Sequence, residues 1–346
     1  MTRFTFAIPG DVNAPTGGYA YARAVLAEWR SAGVKVEHLP LPGGYPFPSS
    51  SDLKETARQL GGAEGVVIID GLAFGAMPEA VIKAVRGPIV ALTHHPLALE
   101  TGLNAQGRAL LYKSERAALT LATRVVVTSQ TTAETLIADY AVSPDRLTVA
   151  EPGTERAARA TGGGDIPHLA AVGTLSARKG YDVLVAALAQ VSDLPWRCTI
   201  AGATDRDPAT AAAVCAAIHH EGLATRIRLA GAVSEEDLGA LYAGADLFVL
   251  ASRYEGYGMA YAAAMARGLP IVACAGGATA QTMPREAGIL VAPDDTSAFA
   301  DAVRKLLTDA SLRRRYSDGA WEHAQTLPSW SDTAAKIADV VREIAR

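Results

Sequence analysis

The sequence predicts an α/β protein built from two doubly wound parallel sheets. Three observations predict it. Short β-rich apolar runs alternate with helix-length segments, this rhythm stops and restarts once near the middle, and several runs end in glycine-opened turns that lead into helices. With 346 residues, 49% of them hydrophobic, the chain has enough apolar material for two buried cores.

In the first half the strand-like runs are residues 5–8, 34–39, 66–69, 89–92, 125–127 and 147–149. After the first run, Pro9-Gly10-Asp11-Val12-Asn13-Ala14-Pro15-Thr16-Gly17-Gly18-Tyr19 reads as a turn, and residues 20–29 read as a helix. The break comes at Arg156-Ala157-Ala158-Arg159-Ala160-Thr161-Gly162-Gly163-Gly164-Asp165-Ile166-Pro167, whose small and polar residues read as a linker. Strand-like runs then resume at residues 169–172, 198–201, 227–229, 247–250, 271–273 and 289–291. The expected domains are residues 1–160 and 165–328, followed by a terminal helical segment over 329–346. In such folds ligands sit outside the carboxyl ends of the strands, here expected in a cleft between the two domains.

A net charge of −4 argues against general nucleic-acid binding, although a local basic groove is still compatible with it. Cys198, Cys215 and Cys274 are odd in number and lack a C-x-x-C spacing, which disfavours a disulfide framework and a zinc site; no metal site is expected. The N-terminus reaches Pro9-Gly10 too soon for a secretory apolar core, and no run approaches the roughly 18 apolar residues of a membrane span. The expectation is a cytoplasmic protein, at most peripheral to the inner face of a membrane. Motifs for other α/β chemistries are missing: there is no G-x-G-x-x-G after a strand, no Gly-Lys-Ser/Thr loop, no H-E-x-x-H and no G-x-S-x-G.

Two second-half loops carry the chemistry. Tyr254-Glu255-Gly256-Tyr257-Gly258-Met259 is a strand-to-helix turn that runs on into Ala260-Tyr261-Ala262-Ala263-Ala264-Met265. Its glycines let backbone N–H groups approach a ligand beside a carboxylate expected to be exposed, and the helix offers its positive end to a diphosphate. Gly173-Thr174-Leu175-Ser176-Ala177-Arg178-Lys179-Gly180 also follows a strand and opens a helix, placing two cations where a leaving diphosphate would need neutralising.

Together these loops resemble the donor motifs of retaining GT-B glycosyltransferases of the family 4 type (glycosyl transferases group 1), and the resemblance runs in order along nearly the whole chain. It implies two Rossmann-like domains facing a central cleft and transfer of a sugar from a nucleotide-diphosphate sugar, such as a UDP- or GDP-sugar, to a hydroxyl acceptor, without metal or cofactor. By resemblance, Glu255 contacts the transferred sugar, Gly256, Tyr257, Gly258 and Met259 hold sugar and phosphate, and Lys179 with Arg178 meets the diphosphate. The family's Arg after the first loop glycine is replaced here by Thr174. Its second Glu, eight positions after the first, accepts from the ribose diol; here that position is Ala263. Losing such bonds costs roughly 2–4 kcal/mol, or about 30- to 1000-fold in donor affinity. The 276–279 stretch, Gly276-Gly277-Ala278-Thr279, fits the family's further donor loop.

In the first half, Gly17 and Gly18 resemble the family's N-terminal glycine loop. His94, in Pro88-Ile89-Val90-Ala91-Leu92-Thr93-His94-His95-Pro96, matches the family's active-site His and is expected to orient the donor sugar. His95 is expected to face elsewhere, and Glu100 and Glu115 gain no role. Arg108, Lys113 and Arg116 on the helical stretch 104–122 read as a solvated face. A hexosyltransferase with an impaired donor site is therefore the leading reading. A non-catalytic nucleotide-sugar or glycan binder, and a GT-B epimerase or phosphorylase, stay open. So do the donor base, the acceptor (glycan, lipid or small molecule) and the oligomeric state.

Overall fold

A computed structural model of the chain describes residues 4–162 and 164–345. Met1, Thr2, Arg3, Gly163 and Arg346, which fall in the expected N-terminal stretch, linker and last helix, lie outside the described residues. The chain divides into two units, Met1–Gly153 with Pro328–Arg346, and Thr154–Leu327.

The first unit holds six strands, β1 (Phe4–Pro9), β2 (Val36–Leu41), β3 (Val66–Asp70), β4 (Ile89–Thr93), β5 (Arg124–Val127) and β6 (Leu147–Val149), in the order β2-β1-β3-β4-β5-β6. All pairings are parallel. A parallel sheet is covered on both faces, which is why Val66, Val67, Ile68 and Ile69 form an uninterrupted apolar run and are all buried. Alternate residues serve opposite faces. Val67 and Ile69 join one core with Phe74, Leu119 and Leu136, whereas Val66 and Ile68 join another with Phe6, Trp29 and Ile337.

Ile337 belongs to the terminal helix Trp330–Ile344, which is started by a capping box between Ser329 and Asp332. Its buried positions Ala334, Ile337, Ala338 and Val341 recur at the spacing of one helical face. That face packs on the first sheet, fixed by a hydrogen bond from Trp29 Nε1 to Ala334 O (2.9 Å) and one from Thr333 Oγ1 to Glu151 O (2.6 Å). Burying Ile337 alone contributes roughly 1.5–3 kcal/mol.

The second unit repeats the plan with β7 (His168–Val172), β8 (Arg197–Ala201), β9 (Ile227–Gly231), β10 (Leu247–Leu250), β11 (Ile271–Cys274) and β12 (Gly288–Val291). Their order is β12-β11-β10-β7-β8-β9, again with parallel pairings, over a single core. The order reverses between β10 and β7, the usual ligand position in such sheets. The first unit has its reversal between β1 and β3.

The stretch that reads as a linker is fastened to the second unit. Ala160 N donates to Arg267 O (2.8 Å), Thr161 N donates to Ala243 O (2.9 Å), and Arg159 pairs with Asp318 at 2.6 Å. Its glycines and small residues permit this close strapping, and the partners are distant in sequence, so composition alone reads as slack chain. Among the described residues no helix is long and apolar enough to cross a membrane.

Candidate functional site

At the reversal point of the second sheet, the loop after β7 meets the loop after β10. Gly180 makes the approach possible: its φ is +62°, and an added Cβ would lie 2.0 Å from Ala251 O. The backbones are tied by Arg253 N donating to Arg178 O (2.8 Å). Lys179 Nζ donates to Glu255 Oε1 at 2.6 Å, Ser252 Oγ donates to the same oxygen at 2.6 Å, and Arg178 Nη1 donates to Glu255 Oε2 at 3.2 Å and to Tyr254 O at 2.8 Å. The two expected cations and the expected acid therefore form one cluster.

The expectation of an exposed Glu255 is corrected: the residue is 5% exposed and lies beneath the cations. Burial pushes its pKa up, but Lys179 and then Arg178, with hydrogen bonds from Lys179 and Ser252, outweigh burial and hold it at about 2. Glu255 is thus ionised throughout the neutral range. Both cations share this carboxylate, on side chains 18% (Arg178) and 12% (Lys179) exposed. Paired cations under a partly open surface are suited to meeting an anion.

The loops are braced by Arg253. Its guanidinium donates to Ala177 O (2.6 Å), forms two bonds to the Asp182 carboxylate (3.0 and 2.7 Å) and donates to Asp294 Oδ1 (2.7 Å). Glu255 then leads through Gly256 and Tyr257 to Gly258, which caps the two-turn helix Met259–Met265 at φ +102°. The N–H groups of Gly258 and Met259 donate to no described backbone oxygen, as is normal at a helix start. Thr174 is half-buried in the β7 loop. Ala263 is half-buried on the short helix and packs against the core, so no carboxylate stands at that position.

The expectation for the 276–279 amides changes. Gly276 N donates to Cys274 O (2.9 Å) and Thr279 N to Gly276 O (3.3 Å) within the stretch itself, while Ala278 N donates to Glu255 O (2.8 Å) and ties it to the Glu255 loop. A concavity of about 630 Å³ lined by Arg285, Arg314, Arg315 and Tyr316 shares no residue with these loops, and Glu286, Asp318 and Glu322 offset its cations.

In the first unit, Gly17 and Gly18 form the first turn of the helix Gly17–Ser31, which starts three residues earlier than its apolar pattern suggests because Thr16 caps it. His94 lies just past β4, partly exposed, and Gly18 packs on its ring. His95 Nε2 lies 3.2 Å from Glu100 Oε2. Glu115, left without a role by the sequence, is 1% exposed and accepts from Leu97 N at 2.8 Å, which holds the turn that follows the two histidines. Burial pushes the Glu115 pKa up to about 8, the bond from Leu97 opposing it.

Sequence reasoning missed Ser252, Arg253 and Asp70. Ser252 and Arg253 stand three and two positions before Glu255, so their place in the loop was a signal; Asp70 ends the apolar run of β3, where an isolated acid at a strand's carboxyl end was one. Among the described residues no cluster of three metal-ligating side chains occurs.

Two parallel six-stranded sheets, the second carrying a lysine–arginine–glutamate cluster at its reversal point, define the GT-B architecture. Residues 10–153 match a family model described as glycosyl transferase 4-like domain, and residues 166–309 match one described as glycosyl transferases group 1. The chain belongs to the group 1 glycosyl transferases. It is similar to the D-inositol 3-phosphate glycosyltransferase of Corynebacterium glutamicum, 32% identical over 63% of this chain and 57% of that protein. The Salinispora tropica protein of the same name is 30% identical over 64% of this chain and 51% of its own length. The matched part therefore spans little more than half the length of these relatives. Among solved structures, the sucrose-phosphate synthase of Thermosynechococcus elongatus superposes with a TM-score of 0.83 at 22% identity, covering 99% of both chains. HepE of Anabaena, solved in complex with UDP-glucose, gives 0.79 at 18% identity over 99% of this chain and 100% of that one. At these identities the structural likeness speaks for the fold.

Proposed function

We propose that this chain is a retaining glycosyltransferase that moves a sugar from a UDP- or GDP-sugar to a hydroxyl acceptor. The observation that carries the reading is the buried Lys179–Glu255–Arg178 cluster at the reversal point of the second sheet. It is supported by the group 1 family match and by the UDP-glucose bound in the Anabaena relative.

In this reading the bond between the anomeric carbon and the diphosphate oxygen breaks, and the acceptor oxygen bonds to the same face of that carbon. The acceptor proton passes to the departing phosphate oxygen. Lys179 and Arg178 supply the positive charge that stabilises the leaving diphosphate, the part a metal ion would otherwise take. The Gly258 and Met259 amides add hydrogen bonds to sugar or phosphate, Glu255 keeps both cations in place beside the sugar, and His94 orients the sugar. Ala263 leaves the ribose diol without a carboxylate partner, so donor affinity is low.

Calorimetric titration with UDP and GDP tests the donor assignment. The expected result is weak binding that tightens about 30-fold or more in Ala263→Glu; no binding by either protein rejects the donor site. The second reading, a nucleotide-sugar binder without turnover, is favoured by the same departures at Thr174 and Ala263. It is distinguished by binding without release of nucleoside diphosphate.

A further inference from the structure

We propose that Asp70 is a positioning residue that sets the tautomer of His94. The inference rests on the reading above, in which His94 acts on a substrate. It begins with strand register: Asp70 of β3 lies opposite Leu92 of β4, which brings the last residue of one strand beside the turn that carries His94. Asp70 is 3% exposed, and its two oxygens are directed differently. Oδ1 accepts from Leu72 N at 2.9 Å, capping the short helix Gly71–Phe74, while Oδ2 lies 3.4 Å from His94 Nε2.

The ring has little freedom to turn away. A Cβ added at Gly18 would sit 3.4 Å from both Cδ2 and Nε2, so the helix Gly17–Ser31 presses on that edge. Tyr21, buried and anchored by its hydroxyl to Ala150 O at 2.9 Å, meets the ring edge-on with centroids 5.3 Å apart. The backbone is held as well, since Thr128 Oγ1 donates to His94 O at 3.0 Å. Nε2 is enclosed with no hydrogen-bond partner among the described residues, and the Asp70 carboxylate beside it is able to receive its proton.

A buried carboxylate only accepts, so it selects the tautomer with the proton on Nε2. Hydrogen bonds of this kind are often long before substrate arrives and shorten once it is bound. The His94 side chain is 21% exposed, and in this reading its other nitrogen, Nδ1, is the unprotonated atom offered to substrate as an acceptor for a sugar hydroxyl. Asp70 thereby acts through His94 and touches no reacting atom.

Asp70→Asn separates these roles. Its side-chain oxygen still accepts from Leu72 N, but the amide nitrogen now donates towards Nε2, so the ring proton moves to Nδ1 and the acceptor is lost. Long-range ¹⁵N–¹H correlation spectra of histidine-labelled protein read the tautomer directly, the His94 signals being those that vanish in His94→Gln. We expect an Nε2–H tautomer in the unaltered chain and an Nδ1–H tautomer in Asp70→Asn. Nucleoside diphosphate release should fall about tenfold or more in kcat, with donor KM changing less than about threefold.

An unchanged tautomer in Asp70→Asn overturns the proposal, as does a switched tautomer with unchanged kcat. If Asp70→Asn does not fold, the spectrum of the unaltered chain still decides, because an Nδ1–H tautomer there overturns the proposal by itself. A chain that turns over no donor while its spectra show the expected switch counts against the transferase reading and leaves the hold of Asp70 on His94 standing.

Discussion

Glu115 and Glu255 are both buried carboxylates, and their surroundings drive them in opposite directions. Glu255 has two cations and a hydroxyl donor and stays ionised, with a pKa near 2. Glu115 has one backbone N–H and, among the described residues, no cation bonded to it, and burial lifts its pKa to about 8. The folded-state value exceeds the unfolded value, so the folded form binds the extra proton, and stability falls as pH rises from about 4.5 through 8. Glu115→Gln keeps an acceptor for Leu97 N and has no charge to bury. Denaturant unfolding should show it more stable than the unaltered chain by roughly 2–4 kcal/mol at pH 9, and no more stable at pH 5. Equal pH profiles would contradict the assignment. For Lys179→Ala, loss of the pair leaves Glu255 with Arg178 and Ser252, which costs about 3 kcal/mol in the melting of the second unit.

The same cluster depends on loops that no single residue builds. Arg253 ties Ala177 and Asp182 of one loop region to Asp294 of another, and Gly180 lets the β7 loop touch Ala251. Arg253→Ala should therefore raise donor KM about tenfold with a smaller change in thermal stability, measured by steady-state kinetics beside a melt. Gly180→Ala introduces a Cβ 2.0 Å from a carbonyl oxygen at a left-handed φ and should lower stability by more than about 1 kcal/mol in the same melt. These dependencies also explain what the sequence reveals. The strands were legible because parallel strands buried on both faces read as continuous apolar runs, and all twelve runs appear as strands with ends shifted by two residues or fewer. Helix starts were less legible: Gly17 and Gly18 look like a turn until the Thr16 cap is seen. Lys179, Arg178 and Glu255 could be named from their motifs, but their mutual pairing depends on β7 lying next to β10, and the bracing by Arg253 and Ser252 depends on the loops built there. The strand order leaves no local pattern, and the bracing residues are marked only by their closeness to Glu255 in sequence.

At the scale of the molecule, the first unit is discontinuous in sequence, its second core being completed by the helix Trp330–Ile344. Removing residues 329–346 uncovers Phe6, Trp29 and Ile68, and limited proteolysis should then cut the first unit first; equal resistance of both units would show that the helix is dispensable. The strapped 156–161 segment, which composition alone presents as loose, belongs to the fold of the second unit. The central claim is that the loops after β7 and β10 hold a nucleotide-sugar donor. Nucleoside diphosphate release from UDP- and GDP-sugars, comparing the unaltered chain with Lys179→Ala, tests it most directly. Release from one donor class should fall roughly 100-fold or more in Lys179→Ala; equal release by the two proteins would contradict the donor assignment.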